Sequence, residues 1–189
     1  IRVDSKDAVL RGRKQALVHV LRTCDLSIED HGAIEQLLAM DADEDLDSVI
    51  GIVFANPASQ LSGIAGTVFE EVALGPVNLG LAVADTVART RAALAAVGIT
   101  ELAERRPDRL SGGQTQLVAI ASMLAMRPRT LVLDEPVAEL DPEGRELVGE
   151  ALRSLARAGT GLLVVEHDLD LLAALGARIV TIDGGLIEV

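Results

Sequence analysis

Two carboxylates, Asp134 and Glu135, stand side by side directly after the apolar run Thr130-Leu131-Val132-Leu133 and before Pro136. A short β-branched and leucine run of this kind suits a buried strand, whose C-terminal end would deliver both acids to one place. Adjacent acids there can divide the labour, one holding magnesium through water and the other polarising an attacking water. A strand-end turn with two solvated acids would use the same residues. Twenty residues before Asp134, Gln114 closes the segment Leu110-Ser111-Gly112-Gly113-Gln114, which leads into an apolar helix. Ser111 can cap that helix, Gly112 and Gly113 let a ligand approach the backbone, and the helix's free N–H groups and positive dipole end suit a phosphate. Alone, the segment could be an ordinary Ser-Gly-Gly turn. Asp141, in Leu140-Asp141-Pro142, precedes another helix, where a plain helix cap is the simplest role. His167 follows the next buried strand, 33 residues after Asp134, where an imidazole could donate to a terminal phosphate.

The elements that must position these residues alternate between strand and helix in the second half of the chain. Apolar positions Leu147, Val148, Ala151, Leu152 and Leu155 recur at helical spacing from Glu143 to Arg157, and Gly159 with Gly161 supplies the stop. Gly161 to Glu166 predicts a second buried strand, Asp168 to Leu175 a short helix, and Arg178 to Ile182 a third strand before the turn Asp183-Gly184-Gly185. Such alternation builds a mostly parallel sheet covered by helices. The middle is different: Asp85 to Val97 and Gly113 to Met126 are both helical by composition and spacing, with Gly75-Pro76 and Gly98 as punctuation. A helical insertion into an α/β core fits this order.

Composition narrows the classes of function. The 189 residues carry 29 acidic against 17 basic side chains, a formal net charge of -12, with two Phe and no Trp or Tyr. Phosphate backbones would repel such a chain and it has little on which to stack bases, so direct nucleic-acid binding is not expected. Hydrophobic residues make up 49% of the chain, enough for a real core, yet no apolar run approaches a membrane span. The lone Cys24 excludes an intrachain disulfide framework and a cysteine-based zinc cluster. The acidic run from Asp41 to Asp47 places Leu46 and Ile52 where a calcium loop needs Gly and Glu, so it predicts a solvated loop. The first residues lack the basic, apolar and small order of a signal peptide, which points to the cytoplasm.

In this order and spacing, the segments around Ser111, Asp134, Asp141 and His167 resemble the signature loop, Walker B strand, D-loop and H-loop of the ATP-binding cassette ATPases. The resemblance runs from about Val49 onward. Within that family, the run from Val53 to Leu61 (Val-Phe-Ala-Asn-Pro-Ala-Ser-Gln-Leu) and the run from Val72 to Leu81 are similar to the ATPase subunits of energy-coupling factor importers, which power uptake of vitamins and of cobalt or nickel ions. The resemblance implies a RecA-like P-loop NTPase core with a mostly parallel sheet, spanning residues 1–189 as a single domain, and a helical subdomain over roughly residues 56–126. It implies a dimer with two ATP molecules at its interface, each with Mg2+. Ser111, Gly112, Gly113 and Gln114 would face the terminal phosphate of ATP held by the opposite subunit. Asp134 would hold the magnesium, Glu135 would be the general base, His167 would sense the terminal phosphate and Asp141 would couple the two sites. The implied partners are a second ATPase subunit and a membrane-embedded coupling subunit docking near Ala55, on the inner face of the membrane. A net charge of -12 would favour basic coupling helices.

The sequence departs from the family in several places. The phosphate loop G-x-x-x-x-G-K-[ST] is absent, and Phe54 and Phe69 lie far from the expected adenine-stacking position near the N-terminus. Ile1 to Ser5, Ala8 to Gly12 and Lys14 to Val18 nevertheless resemble the family's first strands, with connections missing at Ser5-Lys6, Gly12-Arg13 and Val18-His19. Connecting segments omitted there would separate consecutive Cα atoms far beyond 3.8 Å. If the joins are continuous, the alternative is a degenerate, non-hydrolysing cassette that lends its signature loop to a competent partner. A soluble cassette for DNA repair or translation is the other rival, although the chain lacks the coiled coil or tandem cassette usual there. Ala55 stands where the family places a glutamine that touches magnesium and the attacking water, and Gln60, five residues on, cannot simply replace it. Leu117 replaces a basic residue, and Glu166 replaces a small hydroxyl residue before His167.

Overall fold

The computed structural model describes residues 50–138, 140–176, 181–183 and 186–188. Cys24, the acidic run 41–47 and the three joins before residue 20 lie outside the described residues. By contacts the chain divides into two units, Ser48–Gly176 and a second formed by Ile1–Asp47 with Ala177–Val189.

The larger unit is built on three parallel strands in the order β1 (Ile50–Val53), β2 (Thr130–Asp134) and β3 (Gly161–Val165). In register, Val53 pairs with Leu133, and Asp134 pairs with Val165. Leu131 and Leu133 are fully buried at the centre of this sheet, as expected of a parallel strand covered on both faces. The strand in 50–53 was not evident from the sequence, because Ile-Gly-Ile-Val is too short to show a period.

Between β1 and β2 the chain is helical. After a 3-10 turn at Pro57–Ser59 come α1 (Val68–Asn78), α2 (Val83–Ala96) and, past two further 3-10 turns at Thr100–Leu102 and Pro107–Arg109, α3 (Gly112–Leu124). The start of α1 is set by a reciprocal cap, Thr67 accepting from the Glu70 amide and Glu70 accepting from the Thr67 amide, each at 3.1 Å. Pro76 lies inside this helix, contrary to its reading as punctuation. It sits two residues from the end, buried, where it withholds one amide donor from the helix while burying its ring. The fully buried Val68, Val72, Leu94, Val118 and Ile120 join α1, α2 and α3 into one core with Val53, Leu131 and Leu133.

α4 (Pro142–Arg157) follows β2 and presents Val148, Ala151, Leu152 and Leu155 to the same core. Of the apolar period read from the sequence, Leu147 is instead exposed, on the face that also carries Glu143, Glu146 and Glu150. β3 then leads to the short α5 (Leu169–Ala174). In the smaller unit, β4 (Thr181–Asp183) and β5 (Leu186–Glu188) form an antiparallel pair. Of the expected third strand, Thr181 and Ile182 lie in β4, which pairs antiparallel with β5, and residues 178–180 lie outside the described residues.

Candidate functional site

Ser111 is the N-cap of α3. Its Oγ accepts from the Gln114 amide at 3.3 Å, while Gln114 Oε1 accepts from the Ser111 amide at 3.1 Å. The Thr115 hydroxyl adds a bond to the Ser111 carbonyl at 2.9 Å. These bonds hold Ser111 and Gly112 exposed at the helix start, where the first-turn amides of Gly112 and Gly113 have no partner within the helix. Gly113 is required for another reason. A Cβ at Gly113 would come within 2.8 Å of the Cα of Gly144, so the starts of α3 and α4 meet backbone to backbone.

The start of α4 is fixed by Asp141, whose Oδ1 accepts from the Gly144 amide at 2.8 Å. The side chain placed by sequence in a site is therefore a helix cap in this structure. One residue further, Arg145 donates through Nε to the Leu140 carbonyl at 3.1 Å and through Nη1 to Asp168 Oδ2 at 3.4 Å. Asp168 caps α5 with its other oxygen, accepting from the amides of Asp170 and Leu171, each at 3.1 Å. Arg145 thus links the segment before α4 to the residue after His167, a link invisible in the sequence because its ends are 23 residues apart.

The strand ends bring Glu135 and His167 together. β2 and β3 are neighbours in register, and the Glu135 amide donates to the Val165 carbonyl at 2.8 Å. Glu135 has φ of 45°, in the left-handed region that costs a side-chain-bearing residue about 1–2 kcal/mol. In that conformation Glu135 Oε1 lies 3.1 Å from His167 Nε2, with His167 87% exposed and Glu135 38% exposed. Asp134 ends β2, half-buried. Glu166 turns back on its own chain, its Oε1 accepting from the amides of His167 at 2.9 Å and Asp168 at 3.2 Å. A carboxylate in place of a hydroxyl there still orients the His167 backbone.

Ala55 leaves β1 two residues beyond Val53, as Glu135 leaves β2 two residues beyond its partner Leu133. Gln60 does not fill that position, since both ends of its amide bond to backbone: Oε1 accepts from Phe54 at 2.8 Å and Nε2 donates to Ile52 at 3.0 Å. Leu117 is 1% exposed, packed in the core, which suits an apolar residue.

The profile of the ABC transporter family matches residues 20–138. The chain belongs to that family. A relative from Methanosphaera stadtmanae named as the energy-coupling factor transporter ATP-binding protein EcfA is 43% identical over 140 residues, 74% of this chain and 50% of the relative. The solved structure of cbiO1 from Clostridium perfringens, described as part of the ABC transporter complex cbiONQ, superposes with a TM-score of 0.63 at 36% identity, over 69% of this chain and 51% of that one. A dimeric ATP-binding cassette in a post-hydrolysis state, bound to ADP and Pi, gives a TM-score of 0.57 at 29% identity, over 71% of this chain and 60% of that one. The cassette spans about half the length of the curated relatives it matches. Among the described residues, no helix is long and apolar enough to cross a membrane.

Proposed function

We propose that this cassette is the ATP-hydrolysing part of an energy-coupling factor importer, working as one of two ATPase subunits on the inner face of the membrane and driving uptake of a vitamin or a transition-metal ion through a membrane-embedded coupling subunit. The observation that carries the reading is the pairing of Glu135 with His167 at 3.1 Å, at the ends of adjacent parallel strands. It supports a carboxylate that takes a proton from water beside an imidazole that contacts the terminal phosphate. In a closed dimer, Ser111, Gly112, Gly113 and Gln114 would present the start of α3 to the ATP of the other subunit. Asp141 would hold the start of α4, and with it the backbone against Gly113.

Magnesium would supply charge neutralisation at the phosphates. The donor set fits it, because magnesium is commonly held by one or two carboxylates plus phosphate and water. Asp134 is the carboxylate in place. The family's phosphate loop has no match in the 189 residues, so the roles above are those of the signature side and the strand ends.

Purification through a tag on this chain from solubilised membranes tests the assignment. An integral membrane protein should co-purify, and the complex in vesicles should take up solute only with ATP inside the compartment facing the cassette. Recovery with nucleic acid and without a membrane protein would overturn it.

A further inference from the structure

The amide of Phe54 and the carbonyl of Ile52 flank Val53 and point to the same side of β1, as the groups on either side of any strand residue do. In a parallel sheet, one residue of the adjacent strand answers such a pair, donating its N–H to the first carbonyl and accepting the following amide. Gln60 does both with its side chain, at 3.0 and 2.8 Å, because a primary amide carries a donor and an acceptor on one planar unit. We infer that Gln60 is a positioning residue whose side-chain amide stands in for a neighbouring strand at Val53 and so fixes the 54–60 turn that carries Ala55.

The turn is short and packs against α3. Its internal bonds are those of the 3-10 turn, the Ser59 hydroxyl and amide to the Asn56 carbonyl at 2.7 and 3.3 Å and the Gln60 amide to the Pro57 carbonyl at 3.0 Å. None of these ties the turn to the sheet, whereas the Gln60 side chain ties it to the Ile52 carbonyl in β1, eight residues back, and to the Phe54 amide directly after the strand. Since Val53 and Leu133 are in register, fixing the turn sets where residue 55 stands relative to Glu135. Why that placement matters rests on the ATPase reading; the clamp itself does not.

Amide exchange on the full chain separates a clamp from a side chain that only fills space. In Gln60→Ala the Phe54 amide should exchange roughly tenfold faster, the loss expected for one hydrogen bond. Gln60→Glu keeps the shape but, ionised at about pH 8, sets an oxygen against the Ile52 carbonyl. As the pH falls below about 4, under the ordinary glutamate value of about 4.3, and protonation returns an O–H donor, Phe54 protection, referred to the unstructured peptide, should recover in this variant and not in the alanine variant. Unchanged protection in Gln60→Ala, or a flat pH response in Gln60→Glu, would overturn the clamp. In the complex, Gln60→Ala should lower ATP turnover severalfold at an unchanged KM, and full turnover would overturn the positioning role. A wild-type complex that hydrolyses no ATP would count against the ATPase reading alone, and exchange at Phe54 would still decide the clamp.

Discussion

Replacing Gly113 by alanine puts a methyl group against backbone with no side chain to yield. The new Cβ would lie 2.8 Å from the Gly144 Cα, 3.3 Å from its carbonyl oxygen and 3.4 Å from its carbonyl carbon. Carbon atoms settle at about 3.5–4.0 Å, so α3 and α4 must part by roughly 0.7 Å or more at this point. Overpacking of this kind costs about 1–3 kcal/mol, offset by up to about 1 kcal/mol because alanine favours helix over glycine. The net loss of about 1–2 kcal/mol corresponds to a melting temperature lower by roughly 2–8 °C for a chain of this size. Gly112→Ala is the control, because its Cβ would meet only the Leu140 Cδ2 at 3.2 Å, the end of a flexible side chain. Calorimetric melting of both variants beside the wild type tests the reasoning. A Gly113→Ala protein that melts as high as Gly112→Ala would show that close approach of the two helix starts does not constrain residue 113.

Asp141→Ala should lower stability by about 1 kcal/mol through loss of the α4 cap, and Asp141→Asn should retain most of it; equal urea midpoints for the three proteins would discount the cap. Ala55→Gln should raise ATP turnover of the complex, and no rise would mean that position 55 is not limiting. The hydrogen bonds from Arg106 hold the Asp108 carboxyl below the usual carboxylate range. Arg106→Gln should therefore move the Asp108 titration midpoint up toward 3.8, as read by carboxyl NMR. Any stabilisation from that pair is present at neutral pH and fades as the pH falls through the depressed Asp108 value. Because both groups are exposed, melting at neutral pH should barely change.

The residues that could be placed from sequence were those governed by local rules. Ser111 and Asp141 precede apolar helices, so their caps follow from residue type and neighbours. The strand Thr130–Asp134 was legible because it is apolar and bounded by acids and a proline. What could not be read depends on chain segments far apart. Arg145 reaches Asp168 only because α4 and α5 are brought together by the sheet, and Gly113 needs its hydrogen only because Gly144 faces it. Pro76 misled because its local preference against helix interiors is overridden near a buried helix end. Gln60 is no substitute for a glutamine at 55 for a reason visible only in the fold: its amide is already bonded at both ends.

ATP hydrolysis by the purified complex, wild type against Glu135→Gln, tests the central claim most directly. The account predicts measurable turnover in the wild type and, in Glu135→Gln, a loss of about 100-fold or more with ATP binding retained, as expected when a general base is removed. Undiminished turnover in Glu135→Gln would contradict it.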